Sequence, residues 1–425
     1  MKYDVIIIGA GAAGLLAMKE LAKAGYHVGM LEAAEIAGGR ISTIREGFQS
    51  HVEAGAEFIH GKLPLTFKLL KEAGISYEVV EGKMIGIQNG NWQTEEHDGH
   101  WDEFMKQLGK LKADITILQF LEENFSNPEY IHLRQAVQRF SEGFDLADIS
   151  KASILSIKDE WKDIEKKQYR IKGGYIQIID HLVNYCRQLN TEFYFNTCAN
   201  KIEYENGNVT VHTTDNKKFE AKKLIITVSA GILQSGSIQF NPQLTDHAVA
   251  IQGLGFGTVI KFLLEFKTCF WKEFDDETGF LLTDEEIPTW WTQLPAESNL
   301  LTGWLGGPNA TKKIFEPDTS LLQTALLSLS SIFRIPPAML QEELTNYKII
   351  NWLNQPYIKG GYSYSTLHSK QAINMLSSPV NNTIYFAGEA ISKSESQGTV
   401  ESALQSGHDT AKMLIEHLRI KEKQQ

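Results

Sequence analysis

The chain has 425 residues, of which 42% are hydrophobic and 22% are charged, and its formal net charge is −11 at pH 7. This composition is that of a folded globular protein, and the length exceeds what one hydrophobic core supports, so we expect two domains. The acidic balance argues against non-specific nucleic-acid binding, which needs a basic surface, and no apolar run approaches the roughly 20 residues that span a bilayer.

The first predicted elements are a strand, a glycine-rich turn and a helix. The β-branched run Val5–Ile8 leads into the pattern G-x-G-x-x-G, and an alanine-rich helix follows to Lys23. Gly9 permits the sharp turn, Gly11 lets the backbone approach a pyrophosphate, and Gly14 lets the helix pack closely on its strand. Free N–H groups at the helix start favour a phosphate there.

A second predicted strand, His27–Leu31, ends at Glu32. This carboxylate comes about twenty residues after the first glycine, where dinucleotide-binding units place the group that binds a ribose hydroxyl. Strand, helix, second strand and terminal glutamate therefore predict a dinucleotide site.

Further along the chain, Gly38-Gly39-Arg40 predicts a second contact with phosphate. A planar arginine fork beside two glycines can bind a phosphate while the backbone comes close. Dehydrogenases that use only NAD do not need this contact, whereas proteins that hold FAD in an extended conformation often have it. The glycine-bounded turn Gly55–Gly61 follows a short predicted strand.

Two inserts of different character separate the remaining nucleotide-binding stretches. Residues from about 100 to 170 have helical spacing and many charges, and predict a helical lobe with helices at Trp101–Leu111, Tyr130–Phe140 and Ile157–Lys167. Residues from about 255 to 354 have strand composition, as in Val259–Phe266 and Leu300–Leu305.

We therefore predict an α/β, two-domain (α+β) architecture, with a discontinuous Rossmann-like FAD-binding domain and a mixed sheet and helical substrate domain. The FAD-binding domain is expected to comprise residues 1–76, 176–250 and 355–425, and the substrate-binding domain residues 77–175 and 251–354. Within the former, strands are predicted at Val209–Thr213, Leu224–Val228 and Ile384–Ala387, with a last helix from about Gly398 to Arg419.

Cysteine usage and the N-terminus predict where the protein resides. Three cysteines, widely spaced and without a C-x-x-C pair, favour neither a disulfide framework nor a metal site. The first strand begins within a few residues of Met1, which leaves no room for a cleavable leader. We expect a cytoplasmic protein with no membrane contact.

Taken together, these motifs resemble those of the flavin-containing amine oxidase family, which includes monoamine oxidases, polyamine and spermine oxidases, and lysine-specific histone demethylases. The similarity extends over nearly the whole chain, and its motifs come nearest to the polyamine and spermine oxidases. It is carried by the motifs already described together with Gly173-Gly174-Tyr175, Gly257–Lys261, Trp352, Gly360-Gly361-Tyr362 and Phe386–Glu389.

The resemblance implies that Lys261 hydrogen-bonds a water next to flavin N5. A donor fixed there can influence both the reduction and the reoxidation of the flavin. Strand alternation alone would place Lys261 on the surface between Ile260 and Phe262. Related flavoproteins that oxidise porphyrinogens or carotenoids share the N-terminal motifs but as a rule not this lysine.

The resemblance also implies that Trp352 and Tyr362 line the flavin face and shape a narrow apolar slot. Monoamine oxidases have a flavin-linking cysteine where this chain has Gly361, so we predict non-covalent FAD. They also have a second tyrosine where this chain has Thr399, which argues against a small aromatic monoamine as the substrate.

His60 lies in a segment that resembles the G-A-x-W-I-H-G of animal polyamine and spermine oxidases, with Phe58 in place of the tryptophan. A histidine titrates near neutral pH and could recognise or deprotonate a substrate amine. A structural histidine in a glycine turn is the competing interpretation. The predicted catalytic residues are thus Lys261, Tyr362 and His60.

The resemblance implies FAD contacts from several segments of the chain, and no metal. The expected cofactor-binding residues are Gly9, Gly11, Ala13, Gly14, Glu32, Gly39, Arg40, Ala56, Glu57, Phe58, Ala199, Trp352, Gly388, Glu389, Thr399 and Val400.

We predict FAD-dependent oxidation of a small amine of the polyamine type. The reaction is hydride transfer to flavin N5, hydrolysis of the imine, and reoxidation by O2 to hydrogen peroxide. A monoamine or L-amino-acid oxidase, a desaturase-like enzyme and a non-catalytic binding module are the alternatives. The residues contain no helical tower of the demethylase type, which disfavours a histone substrate. The sequence determines neither the carboxylates that bind distal amines nor the oligomeric state.

Overall fold

The computed structural model describes residues 2–88, 90–94, 100–161, 167–394 and 396–422. The strands of this part are, in chain order, β1 Lys2–Ile8, β2 Val28–Leu31, β3 Thr43–Ile44, β4 Val52–Glu53, β5 Ile59–His60, β6 Tyr77–Val79, β7 Lys83–Gln88, β8 Asn91–Thr94, β9 Gln168–Ile171, β10 Thr191–Tyr194, β11 Ala199–Glu205, β12 Asn208–Thr213, β13 Lys218–Ile226, β14 Gln239–Asn241, β15 Gly255–Phe256, β16 Val259–Phe266, β17 Thr278–Thr283, β18 Thr289–Trp291, β19 Leu300–Gly306, β20 Leu344–Asn351, β21 Ser363–Tyr364 and β22 Ile384–Phe386.

The α-helices are α1 Ala12–Lys23, α2 Pro64–Ala73, α3 Trp101–Lys110, α4 Ile117–Asn124, α5 Ile131–Gly143, α6 Ile154–Trp161, α7 Ile176–Arg187, α8 Ala230–Gln234, α9 Thr245–Gly253, α10 Gly307–Lys312, α11 Asp318–Phe333, α12 Pro337–Glu343, α13 Ser369–Leu376 and α14 Val400–Glu422. Short 3₁₀ turns lie at Pro128–Tyr130, Phe270–Glu273, Trp352–Asn354 and Glu389–Ile391.

One large sheet carries the glycine-rich turn. Its strand order is β10-β2-β1-β13-β12-β11-β14, and β22 also pairs with β13. The pairings of β1 with β2 and β13, and of β13 with β22, are parallel. Since such strands are covered on both faces, their carboxyl-terminal halves are apolar, and Val5, Ile6 and Ile7 are fully buried. Helices α1, α7 and α14 cover one face.

A second sheet has the order β20-β16-β19-β18-β17-β7-β8, with α11 packed on one side. Helices α3 to α6 form a separate helical lobe around the buried aromatic residues Phe104, Phe120 and Phe125. The predicted α/β class with helices and sheets mixed in this way is confirmed. The predicted domain boundaries remain predictions.

Several predicted elements match the observed ones or differ from them only at their ends. The strand predicted at Val259–Phe266 has those bounds, whereas the last helix starts at Val400. The helix predicted at Ile157–Lys167 is observed at Ile154–Trp161, and residues 162–166 of that prediction lie outside the described residues. Within the described chain, no helix is both long enough and apolar enough to cross a bilayer.

Candidate active site

The glycine turn between β1 and α1 is closed by backbone contacts that leave no room for side chains. Gly9 has a φ of +105°, and a Cβ on Gly14 would lie 2.0 Å from the Gly9 carbonyl oxygen. Gly11 caps α1 and, like Ala13, lines a cavity, whereas Gly14 packs behind the turn. The amides at the start of α1 therefore face a space that suits an anionic group.

Glu32 directly follows β2 and binds the backbone of the glycine turn at Ala10. One carboxylate oxygen accepts a hydrogen bond from the amide of Ala10 at 2.7 Å, and the other accepts one from the amide of Ala34 at 2.8 Å. Burial raises the pKa of this carboxyl group above its usual value. The remaining acceptor capacity of the carboxylate fits a ribose hydroxyl.

Arg40 joins the N-terminal turn to the C-terminal part of the chain. Its Nη1 donates to the Gly361 carbonyl at 2.8 Å and to the Glu389 carboxylate at 2.5 Å. The segment before it is held by the Gly38 amide, which donates to the Ala10 carbonyl at 2.9 Å. This arrangement brings the predicted phosphate contacts beside Gly388 and Glu389.

A continuous cavity of about 2510 Å³ runs from the glycine turn to the helical lobe. All the predicted cofactor-binding and catalytic residues line it except Gly14. Those that share its wall include Gly9, Gly11, Ala13, Glu32, Gly39, Arg40, Ala56, Glu57, Phe58, His60, Ala199, Lys261, Trp352, Tyr362, Gly388, Glu389, Thr399 and Val400.

Lys261 lies on β16 and lines this cavity, and it is not on the surface as strand alternation alone suggested, since its exposed fraction is 1%. Its Nζ donates to Glu57 Oε2 at 2.8 Å and to the Gly55 carbonyl at 3.3 Å. Arg170 Nε and Trp291 Nε1 each donate to Glu57 Oε1 at 3.0 Å. The neighbouring cations Lys261 and Arg170 outweigh burial and hold the pKa of the Glu57 carboxyl below its usual value.

Aromatic side chains form the walls beyond Lys261. Tyr362 stacks on Trp304 with ring centroids 6.4 Å apart, and its hydroxyl donates to the Phe144 carbonyl. Trp304 Nε1 donates to the Gly143 carbonyl at 2.8 Å, and Trp352 Nε1 donates to the Ala54 carbonyl at 3.1 Å. Since all three polar groups donate to backbone carbonyls, the ring faces are left to shape an apolar slot.

His60 borders the same slot. Its ring centroid lies 6.1 Å from that of Phe58 and 5.8 Å from that of Phe144. Burial lowers the pKa of His60 to about 4, so the imidazole is neutral at neutral pH. Gln168 faces His60 across the β5–β9 pair and lines the cavity, and its Oε1 accepts no hydrogen bond from the described residues.

Several site residues were not predicted from the sequence. These are Phe144, Gln168, Arg170, Trp291 and Trp304. In Gln168-Tyr169-Arg170-Ile171, polar and apolar residues alternate, which indicates a strand with one polar face. That pattern could have marked Gln168 and Arg170, but nothing in the sequence pairs Arg170 with Glu57.

These residues fit a dinucleotide cofactor. A Cβ at Gly14 or Gly55 would lie within 2.0 Å of a backbone oxygen, so the close turns that open the cavity depend on glycine. The turn amides suit a pyrophosphate and Glu32 suits a ribose, while the aromatic slot beyond them suits a flat ring.

Comparison with known proteins gives consistent matches. A family model described as flavin containing amine oxidoreductase matches residues 12–415. Lysine-specific histone demethylase 1B of Mus musculus is 26% identical over 95% of this chain, which spans about half (52%) of that protein's length. Polyamine oxidase 4 of Oryza sativa subsp. japonica is 25% identical over 95% of this chain and 87% of its own.

Two solved structures share the fold. A wild-type putrescine oxidase bound to putrescine superposes with a TM-score of 0.82 at 21% identity, covering 98% of this chain and 99% of that one. Cyclohexylamine oxidase from Brevibacterium oxydans IH-35A gives a TM-score of 0.81 at 22% identity, covering 99% and 100%. The two-domain α/β architecture is thus shared along the full length of both proteins.

Proposed function

Because the chain belongs to the flavin containing amine oxidoreductase family, we propose that it oxidises a small amine with bound FAD and transfers the electrons to O2. Membership confirms the resemblance identified from the motifs. The predicted cofactor, FAD, is the dinucleotide that the glycine turn, Glu32 and the Arg40 segment fit.

The observation that carries this proposal is the buried ammonium group of Lys261. It lies in the same cavity as the glycine turn and the aromatic slot, and it is fixed by Glu57. A buried charge is costly unless it is paired, and this one borders a cavity instead of filling a core. Its position suits a donor to a water molecule near the reacting atoms.

When bound, FAD supplies the ring that accepts a hydride from the amine's α-carbon and returns the electrons to O2, giving hydrogen peroxide. The chain's residues would bind and orient: the start of α1 and Arg40 at the pyrophosphate, Glu32 at the ribose, and Trp352 and Tyr362 beside the ring. Water would hydrolyse the imine product.

The electrostatics favour a neutral amine in the slot. Lys261 and Arg170 carry two positive charges against the one negative charge of Glu57. A nearby positive charge and burial both disfavour protonation of an amine. Because His60 is neutral at physiological pH, the ring nitrogen that carries no proton can accept a hydrogen bond from the entering amine.

A polyamine-type substrate is the finer part of the proposal. The rice polyamine oxidase matches over 87% of its own length. Glu129 and Asp145 of the helical lobe line the same cavity, and carboxylates are suitable partners for a second ammonium group. The proposed cytoplasmic location rests on the sequence alone.

Anaerobic titration of the FAD-loaded protein with a panel of amines tests the proposal. The panel comprises spermine, N-acetylspermine, putrescine, benzylamine, an L-amino acid and a dimethyl-lysine peptide. We expect polyamines to bleach the flavin absorbance fastest. Bleaching by benzylamine or the amino acid alone would assign the corresponding alternative, and bleaching by the peptide alone would assign a demethylase-like reaction.

A protein that binds FAD but is bleached by none of these amines contradicts the proposed oxidation and favours a binding module. Lys261→Met should retain FAD and slow reduction or reoxidation. Lys348→Met is the matched control, since Lys348 is exposed on β20, the strand paired with β16, and lies outside the cavity wall.

A further inference from the structure

We infer that Glu57 is the positioning residue for Lys261, and that Arg170 and Trp291 fix Glu57 for this task. The inference rests on the proposed function and extends it to residues outside the motif that identified Lys261. It revises the predicted role of Glu57 from a direct cofactor contact to one exerted through the lysine.

Two oxygens, one of a side chain and one of the backbone, fix the ammonium group of Lys261. An ammonium group has three N–H donors. Glu57 Oε2 and the Gly55 carbonyl accept two of them, at 2.8 and 3.3 Å. The third has no oxygen acceptor among the described residues, and besides the Trp291 ring, whose centroid lies 5.4 Å from Nζ, it can donate into the cavity that Lys261 lines. A lysine has a long flexible side chain, so two fixed acceptors give the third donor a defined direction.

The two carboxylate oxygens of Glu57 accept hydrogen bonds from different partners. Its Oε1 accepts from Arg170 Nε and Trp291 Nε1, both at 3.0 Å, which leaves Oε2 for Lys261. Arg170 is itself anchored, because its other nitrogens donate to the carbonyls of Leu294 and Thr292 at 2.9 Å. Arg170 and Trp291 therefore fix the carboxylate through Oε1, and Oε2 accepts from Lys261.

The charge balance shows why Glu57 is needed. Lys261, Glu57 and Arg170 are all buried, and among the described residues Glu57 is the one carboxylate that forms an ion pair with either cation. Without it, the two buried cations would lie close together with no ion-pair partner among the described residues. The lysine would then move away from its place in the cavity or lose its charge.

A double-mutant cycle on the FAD-loaded protein tests the inference. Glu57→Gln, Lys261→Met and the double variant are compared in flavin reduction by the best amine, and in reoxidation by O2 after photochemical reduction without amine. We expect Glu57→Gln to slow whichever step Lys261→Met slows, by about tenfold or more. In the Lys261→Met background the same change should alter that step by less than about twofold.

Glu265→Gln is the matched control. Glu265 is a buried carboxylate on β16, the strand that carries Lys261, but it accepts from the Gln49 amide at 2.8 Å and does not pair with Lys261 or Arg170. Its effect, whatever its size, should multiply with that of Lys261→Met. If Glu57→Gln does not fold, Trp291→Phe, which removes one donor to Glu57, should show the same non-additivity with a smaller single effect.

A second readout needs no flavin chemistry. In urea unfolding of the FAD-free chain, Glu57→Gln and Lys261→Met should each lower the urea concentration at the midpoint. The midpoint of the double variant should be no lower than that of the less stable single variant. Wild-type rates in Glu57→Gln, or effects that multiply in the double variant, would overturn the inference. If no amine reduces the wild-type flavin, the proposed function fails, while the reoxidation and unfolding cycles still decide the role of Glu57.

Discussion

Arg40 and Glu389 are 349 residues apart in sequence, yet Arg40 Nη1 lies 2.5 Å from a carboxylate oxygen of Glu389. The ion pair joins the turn after β2 to the turn after β22. Among the described residues its hydrogen bonds use Nη1 only, and its Cζ lies 5.6 Å from the centroid of the Phe256 ring, so Nε and Nη2 remain able to bind a phosphate. One guanidinium can thus hold two segments of the chain together and still contact the cofactor.

Arg40→Met should weaken FAD binding and also lower stability. The loss of charge-assisted hydrogen bonds worth about 1.5–3 kcal/mol raises the dissociation constant roughly 10- to 100-fold. Glu389→Gln keeps the arginine fork, so it should lower the melting temperature with a smaller effect on affinity. Fluorescence titration of the FAD-free protein and thermal melting measure both. Equal losses of affinity in the two variants would contradict a phosphate contact by Arg40.

Gly14→Ala should disrupt the dinucleotide site. The new Cβ would lie 2.0 Å from the Gly9 carbonyl oxygen, so α1 would move away from the turn, at a cost of about 1–3 kcal/mol. Gly109→Ala is the matched control, because Gly109 also lies in a helix but its Cβ would meet no atom within 4 Å. Urea unfolding and FAD titration should show losses for Gly14→Ala only. Unchanged FAD affinity in that variant would show that the site still binds FAD when α1 lies farther from the turn at Gly9.

His60 should make stability depend on pH. Burial lowers its pKa from 6.5 to about 4, so between these values the unfolded chain binds a proton that the folded chain does not. Stability therefore falls as the pH falls from about 7 to 4, by about 1–2 kcal/mol at pH 5. His60→Gln should remove this part of the slope in unfolding experiments from pH 5 to 7.5. A variant with the wild-type slope would mean that the imidazole takes up its proton over the same pH range in the folded and unfolded protein.

FAD should leave the polypeptide on denaturation. Gly361 stands where monoamine oxidases have the linking cysteine, and a Cβ there would lie 2.5 Å from Leu146 Cδ1 and 3.1 Å from Val259 Cγ1. Glycine has no thiol, so the chain offers no sulfur at this position that could form the link. Acid precipitation of the loaded protein should leave the yellow colour in the supernatant. Colour in the pellet that survives washing would contradict non-covalent binding.

Local sequence patterns predicted the parts of the fold that depend on neighbouring residues. The apolar run before Gly9, the helix to Lys23 and the strand Val259–Phe266 follow from burial on both faces and from helix propensity. The predicted cofactor residues Gly9, Gly11 and Ala13 lie where β1 ends and α1 begins, and for that reason the glycine motif could indicate them. Element ends such as the start of α6 were less certain, because propensity changes little from one residue to the next.

The sequence by itself was therefore enough to predict the dinucleotide turn, to identify the family and to single out Lys261, since each depends on short contiguous motifs. Only the tertiary structure decided what surrounds that lysine. Glu57 is 113 residues from Arg170 and 204 from Lys261, and the three meet because separate strands and turns converge on one cavity. Two buried cations need a shared counter-ion, and which carboxylate supplies it depends on the path of the whole chain.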